Sequence, residues 1–441
     1  MRIQPNISSP PTRRIIQTWW PLAASWLLMS AELPALSAVV ARLPHPEINL
    51  AAYGGIVFPL ALIIEAPIIM LLSASTAVCA DWDAYRKVRR FMMAASATLT
   101  GLHILIAFTP LYDLLVREIV GVPEAIVEPG RTGLQIMIPW TWAIAYRRFN
   151  QGVLIRFGHS RAVGVGTVIR LSTNATVLVI GYLIGTLSGI VVAASAVAAG
   201  VIGEAIYAGL RVQPVLRQQV RLAQPSSQPL TLRSFLEFYT PLAMTSLLWL
   251  LAQPIGSAAL SRMPEPLASL AAWPVLMGLL FMLRSLGLAY NEVVVALLDE
   301  PGLAPHLRRF TGWLAALTTV LLALIAATPI ATLWFTRVSA LSAPLAALAT
   351  TGLWLALPIP AFSALQSWFQ GAILHSRRTA GITQAVVIYL LVSATVFAGG
   401  VAWGRAAGVY IGLAAMTLST AAQTGWLWHR SRAVWRAATS A

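Results

Sequence analysis

The sequence predicts an all-α polytopic membrane protein, with 12 transmembrane helices forming two pseudo-twofold-related six-helix bundles. Three observations carry that prediction. The 441-residue chain is 58% hydrophobic and 10% charged, where a soluble chain carries about 25% charged residues. Apolar stretches of about 20 residues, long enough to cross a bilayer as helices, recur from end to end. Finally, the chain repeats itself. Residues 21–52 return at 241–272 with 14 identities in 32 positions, an offset of 220. A second match at an offset of 219 relates Pro139 to Pro358 and Gln151-Gly152 to Gln370-Gly371. An offset of half the chain makes two copies of one unit, the organisation of secondary transporters built from internal repeats. A barrel is excluded, since its strands alternate apolar and polar residues over about 10 positions.

The expected spans are 17–41, 50–78, 91–110, 132–154, 162–185, 188–210, 236–260, 267–297, 310–330, 342–370, 379–402 and 405–428, six in each half. They give a first bundle over 17–210 and a second over 236–428. Residues 1–16 form an N-terminal segment that is polar, Pro-rich and basic, with no cleavage pattern before the first apolar run. The stretch 211–235, with Arg211, Arg217, Arg221, Arg233 and Gln224-Pro225-Ser226-Ser227, reads as a polar linker. Residues 429–441 form a tail. With the N-terminus in the cytoplasm, 20 Arg and Lys fall on inner segments and 6 on outer ones. Both termini are therefore expected inside, in a bacterial inner membrane. This topology also accounts for the net charge of +15, which in a soluble chain would point to nucleic acid. No nucleic-acid partner is expected; membrane lipid is, and a monomer.

No P-loop and no HExxH is present, so no enzymatic activity, cofactor or metal is expected. The lone Cys79 excludes an internal disulfide and a thiolate cluster. The chemistry must lie in charges within spans, each of which costs at least about 2.5–3.5 kcal/mol to insert. The acidic ones are Glu32, Glu65, Glu204 and Glu292, and the basic ones Arg147, Arg148, Arg170 and Arg284. One reading is that they pair with one another, Arg147 or Arg148 with Glu204 in particular. The other is that some face substrate. The repeat maps residue 65 onto 285, so Glu65 and Arg284 hold nearly equivalent places and are expected to form a state-dependent pair. Arg147 lies nine residues before Arg156, about 13 Å into the membrane along a helix. A guanidinium suits carboxylate and phosphate because its planar fork donates two parallel hydrogen bonds. The expected substrate-binding set is Arg284, Arg147, Arg148, Glu65, Gln366 and Gln135, with Glu65, Glu32 and Glu292 gating or coupling. Matched prolines, Pro34/Pro254 and Pro139/Pro358, mark shared helix bends. Gly181, Gly185 and Gly189 read as close helix approach, as do the glycines after Gln151 and Gln370.

Two six-span halves with both termini inside resemble the MATE-like members of the multidrug/oligosaccharidyl-lipid/polysaccharide (MOP) flippase superfamily. Within it the chain is most similar to the progressive ankylosis protein (ANKH) family. The carrying residues are Trp20-Pro21-Leu22, Ala52-Tyr53-Gly54, Pro241-Leu242-Ala243, Pro254-Ile255 with Ser261-Arg262, Trp273-Pro274-Val275 and Pro358-Ile359-Pro360. The chain departs from that family in lacking a long acidic C-terminal tail and in carrying Glu65 within span 2. The resemblance implies a secondary transporter exporting a small polyvalent anion of the pyrophosphate, nucleotide or citrate kind by rocking-bundle alternating access. The alternatives are a lipid or lipid-linked saccharide flippase and a proton- or sodium-coupled drug antiporter.

Overall fold

A computed structural model describes residues 11–224, 230–298, 300, 302–375 and 380–440. Arg2, Arg377, Arg378 and the linker residues Pro225, Ser226 and Ser227 lie outside them. The described residues are helical, without strands. The first half holds α1 (Pro11–Ser30), α2 (Glu32–Val40), α3 (Pro46–Ala52), α4 (Phe58–Ile69), α5 (Leu71–Val78), α6 (Trp82–Phe108), α7 (Leu111–Asp113), α8 (Val127–Ile136), α9 (Ile138–Arg156), α10 (Ser160–Ile184) and α11 (Gly189–Val215). The second holds α12 (Leu232–Leu250), α13 (Ala252–Ser261), α14 (Pro266–Leu288), α15 (Tyr290–Leu297), α16 (Ala304–Ala327), α17 (Pro329–Leu333), α18 (Ala343–Ala356), α19 (Ile359–His375), α20 (Ala380–Trp403) and α21 (Gly408–Ser440).

Each expected span coincides with a helix or a broken helix. Among the described residues, 9 helices are long and apolar enough to cross a membrane, and 10 if α18 and α19, bent by 41°, are one span. The other two expected spans, 132–154 and 405–428, fall on α8–α9 and on α21. Arg147, Arg148 and Arg156 dilute the apolar character of α9, and Thr, Ser and Gln that of α21. The linker and tail are more helical than expected. A π turn, Leu216–Val220, prolongs α11, and α21 runs to Ser440. Charged residues there solvate a helix surface without ending it.

One π turn explains why the repeat offset changes. The residue before α3, His45, has φ 52, and the one before α14, Glu265, has φ 54, still 220 apart. A π turn then occupies Tyr53–Val57 between α3 and α4, while α14 runs unbroken. Such a turn absorbs one extra residue in a helix. Beyond it the offset is 219: α4 ends at Ile69 and α14 at Leu288, and α5 matches α15 residue for residue. Glu65 is therefore equivalent to Arg284 itself, one place from the expected residue 285. The later landmarks keep this register. Thr109 and Thr328 bond back to Leu105 O and Leu324 O before the matched prolines 110 and 329. Gly185 (φ 71) and Gly404 (φ 61) end α10 and α20. Gly185 thus serves as a left-handed helix stop and departs from the packing role expected of it. Gly181, where a Cβ would come within 2.4 Å of Val192, does pack closely. Pro139 and Pro358 sit beside the matched α8/α9 and α18/α19 breaks.

The chain forms two compact units, one of residues 1–34 with 274–441 and one of residues 35–273. They do not coincide with the sequence halves 17–210 and 236–428, because the first helix of each half packs with helices of the other. In the first unit Trp19 of α1 meets Phe310 edge-on at 5.5 Å and donates from Nε1 to Leu286 O (2.9 Å). Arg14 pairs with Glu300 at 2.5 Å. In the second unit Tyr239 of α12 stacks on Phe235, packs against Phe91 and donates to Pro67 O (2.5 Å). Trp19 and Tyr239 are repeat mates, as are residues 67 and 286, so the exchange is symmetric in sequence.

The matched glycines Gly152 and Gly371 serve packing. A Cβ on Gly152 would lie 2.4 Å from Leu72 O and 1.9 Å from Ser75 Oγ, and one on Gly371 would lie 2.7 Å from Val294. Gly152→Val is expected to destabilise the α5–α9 contact by about 3 kcal/mol or more, since overpacking here meets backbone. A fall in thermal unfolding temperature in detergent checks this; an unchanged transition would show that α5 can move aside.

Candidate functional site

In the second unit, the sequence-predicted charges gather around one carboxylate. Glu204 on α11 is 1% exposed. Arg147 Nη1 on α9 donates to its Oε2, and Gln151 Nε2, one turn further along α9, donates to its Oε1 at 2.8 Å. Arg170 on α10 stands 3.8 Å from Oε2. Gly166 leaves the room for this: a Cβ there would lie 3.2 Å from Glu204 Cγ. The pairing reading thus holds for Arg147, whose other expected role was in the substrate set.

Glu65 and Arg148 belong to the same cluster but are left over. Glu65 on α4 is 1% exposed, with Arg147 and Arg148 as its charged neighbours, and its Oε1 has no hydrogen-bond partner. Arg148 is half-buried and feels Arg147, Glu204, Glu65 and Arg170, yet its Nε is buried without a partner. Three guanidiniums stand against two carboxylates, so the cluster as a whole is positive. Gln135, on α8 of this unit, donates to Ala107 O at 3.3 Å, a helix-to-helix bond.

In the first unit the repeat-equivalent positions carry different chemistry. Arg147, Arg170, Glu204 and Glu65 become Gln366, Tyr389, Gln423 and Arg284. Gln366 is buried, and its Nε2 reaches Gln423 Oε1 (3.0 Å), Thr424 Oγ1 (3.2 Å) and Thr420 O (3.3 Å). An amide pair thus stands where the first repeat has Arg147 and Glu204. Arg284 is half-buried near the middle of the span Pro266–Leu297. Its Nε is buried without a partner, its electrostatic neighbour is Tyr389, and no carboxylate of its own unit pairs with it among the described residues. Glu32, in the first turn of α2, is half-buried. Glu292, by contrast, is exposed on α15: its helical phase turns it away from the buried face made by Tyr290, Val293 and Val294.

Sequence reasoning missed Tyr389, Gln423 and the role of Gln151. The repeat offset of 219, extended from residues 170 and 204, identifies Tyr389 and Gln423; the role of Gln151 follows from its place one turn beyond Arg147 on α9. Outside the spans, Asp113 is held below the usual carboxylate range by its hydrogen bond from Arg131, which also lies 4.5 Å over the Tyr112 ring. This cluster braces the 111–131 segment. No group of three or more His, Cys, Asp or Glu able to hold a metal occurs among the described residues.

No family model matches the sequence, and no curated protein matches it. The fold does match solved structures. An inward-facing multidrug-resistance MATE transporter of the MOP superfamily aligns over 95% of this chain and 98% of its own, with a TM-score of 0.63 at 16% identity. The lipid II flippase MurJ, in an inward closed conformation, aligns over 93% and 87% with a TM-score of 0.69 at 14% identity. A MOP superfamily transporter from Pyrococcus furiosus, whose reversed binding-pocket polarity is said to suggest a different function, aligns over 97% of each chain at 0.55 and 18%. The chain therefore has the MATE-like fold of an integral membrane protein.

Proposed function

We propose that this protein is a secondary transporter that exports a small polyvalent anion of the pyrophosphate, nucleotide or citrate kind, by rocking-bundle alternating access. The observation that carries the reading is Arg284, a guanidinium near mid-span with no carboxylate of its own unit beside it among the described residues. An intramembrane charge left in that condition is a functional group by default. The excess of guanidinium over carboxylate around Glu204 adds to it, as does the progressive ankylosis-like set of residues. In this reading the protein sits in a bacterial inner membrane with both termini in the cytoplasm. The protein itself performs no covalent chemistry. Lipid flipping is the second reading, favoured by the likeness to the lipid II flippase.

The test is reconstitution into vesicles loaded in turn with pyrophosphate, ATP, citrate, a lipophilic drug cation and a fluorescent lipid-linked saccharide. Anion release that saturates, with no drug or lipid movement, is the expected result. Transport of the drug cation or the lipid alone would replace the anion reading.

A further inference from the structure

Glu65 and Arg148 pose a problem that the ion pair beside them does not. Both belong to the second unit and feel each other's charge, but no hydrogen bond or salt bridge joins them among the described residues. Glu204 has taken Arg147 and Gln151. A buried carboxylate oxygen and a buried guanidinium nitrogen left without partners are costly, and a native structure seldom keeps them so. With Glu65 ionised beside Arg147 and Arg148, whatever satisfies both must accept from a guanidinium and donate to a carboxylate. Water can do so. An oxyanion that has kept a proton can too, with its O⁻ on Arg148 and its O–H given to Glu65. Charge decides between them. The surrounding three guanidiniums and two carboxylates leave one positive charge inside a membrane-spanning unit. Water leaves that charge standing, and a protonated oxyanion cancels it.

We propose that Glu65 and Arg148 form a donor–acceptor site for a protonated phosphate group, in which Glu65 accepts the ligand's O–H and Arg148 binds its anionic oxygen. The site belongs to the first repeat alone, because the second has Arg284 and Ser367 at these positions. The inference rests on the exporter reading for its place in transport, and on the two unsatisfied groups for binding itself. It adds a substrate requirement: the exported anion must carry an acidic O–H. Fully ionised tetrahedral anions are then refused, because Glu65 repels them and they have no proton to give.

Phosphate and sulfate separate these terms, since near neutral pH they are alike in shape and only phosphate keeps an O–H. Binding of each to the purified full-length protein in nanodiscs is measured by calorimetry. A site built to receive a hydrogen from its ligand discriminates strongly against an analogue that lacks it, so phosphate is expected to bind ~100-fold tighter than sulfate. Glu65→Gln exchanges one carboxylate oxygen for an N–H and removes the negative charge that turns fully ionised anions away, so the preference should fall below ~10-fold or reverse. Should that variant not fold, Arg148→Gln measures the other half, with phosphate affinity down by at least ~10-fold. Methyl phosphate tells a free ion from the end group of a larger molecule: equal binding favours the end group, exclusion the free ion, and either supports the site. Equal affinity for phosphate and sulfate, no binding of either, or a preference untouched by Glu65→Gln would overturn the proposal in favour of bridging water. Saturable anion efflux without the preference would sink this inference and leave the exporter reading standing. The preference without efflux would do the reverse.

Discussion

Replacing Arg284 with Gln is expected to cut anion efflux by ~10–100-fold while leaving the protein as stable as before or more so. The activity term follows from a charge-assisted contact to the substrate, about 1.5–3 kcal/mol, where each 1.4 kcal/mol is tenfold. The stability term has the opposite sign. Arg284 has no carboxylate of its own unit to compensate it among the described residues, so its removal relieves a desolvation cost. A structural arginine would behave otherwise: its loss would lower the unfolding temperature, and transport would fall only as folded protein fell. Initial rates from vesicles normalised to inserted protein, set beside thermal unfolding in detergent, separate the two. Wild-type efflux in Arg284→Gln would remove the residue from the site. Membrane voltage bears on the same assay. An inside-negative potential drives anions outward by about 2.3 kcal/mol per charge per 100 mV, so a polyvalent anion needs no coupling ion to leave. Efflux through the wild type should then rise with an imposed inside-negative potential.

Why Arg284 was legible in the sequence, and its surroundings were not, follows from how each signal is written. A charge within a long apolar run stands out because it is expensive there. The repeat stood out because equivalent packing positions, such as Gly152 and Gly371, tolerate few residues. The π turn at Tyr53–Val57 left no such trace. One residue added to a helix keeps the segment apolar and merely changes the offset from 220 to 219, and that change, read alone, does not say where the extra residue lies. Partners across helices were open for the same reason. Arg147 and Glu204 are 57 residues apart, and pairing between them and a place facing substrate read alike before the helices are packed. Presence in a span does not fix the face a charge takes: Glu292 is exposed, on the side of α15 away from the buried Tyr290, Val293 and Val294. The exchange of α1 and α12 between halves leaves no mark in composition, since Trp19 and Tyr239 also look like interfacial aromatics.

The second large effect concerns Arg147 and Glu204, where the protein contains its own control. Breaking one member of a buried pair leaves an uncompensated charge, typically at a cost of about 3–5 kcal/mol. Glu204→Gln is expected to reach the upper part of that range, because it leaves Arg147, Arg148 and Arg170 with Glu65 as their remaining carboxylate. Arg147→Gln should cost about 3 kcal/mol, as Gln151 and Arg170 still attend Glu204. The double substitution installs what the second repeat already holds at these places, Gln366 donating to Gln423 at 3.0 Å. It removes one positive and one negative charge together, so the net charge of the cluster does not change. An amide pair of that kind needs no ionic desolvation, and its helix positions are matched by the repeat. The double variant is therefore expected within about 1 kcal/mol of wild type, with a coupling energy of several kcal/mol in the cycle. Unfolding midpoints of the four proteins in one detergent provide the measurement. Additive losses would show that the first repeat cannot accept the neutral pair, and that the packing around Glu204, including the space left by Gly166, is specific to its charge.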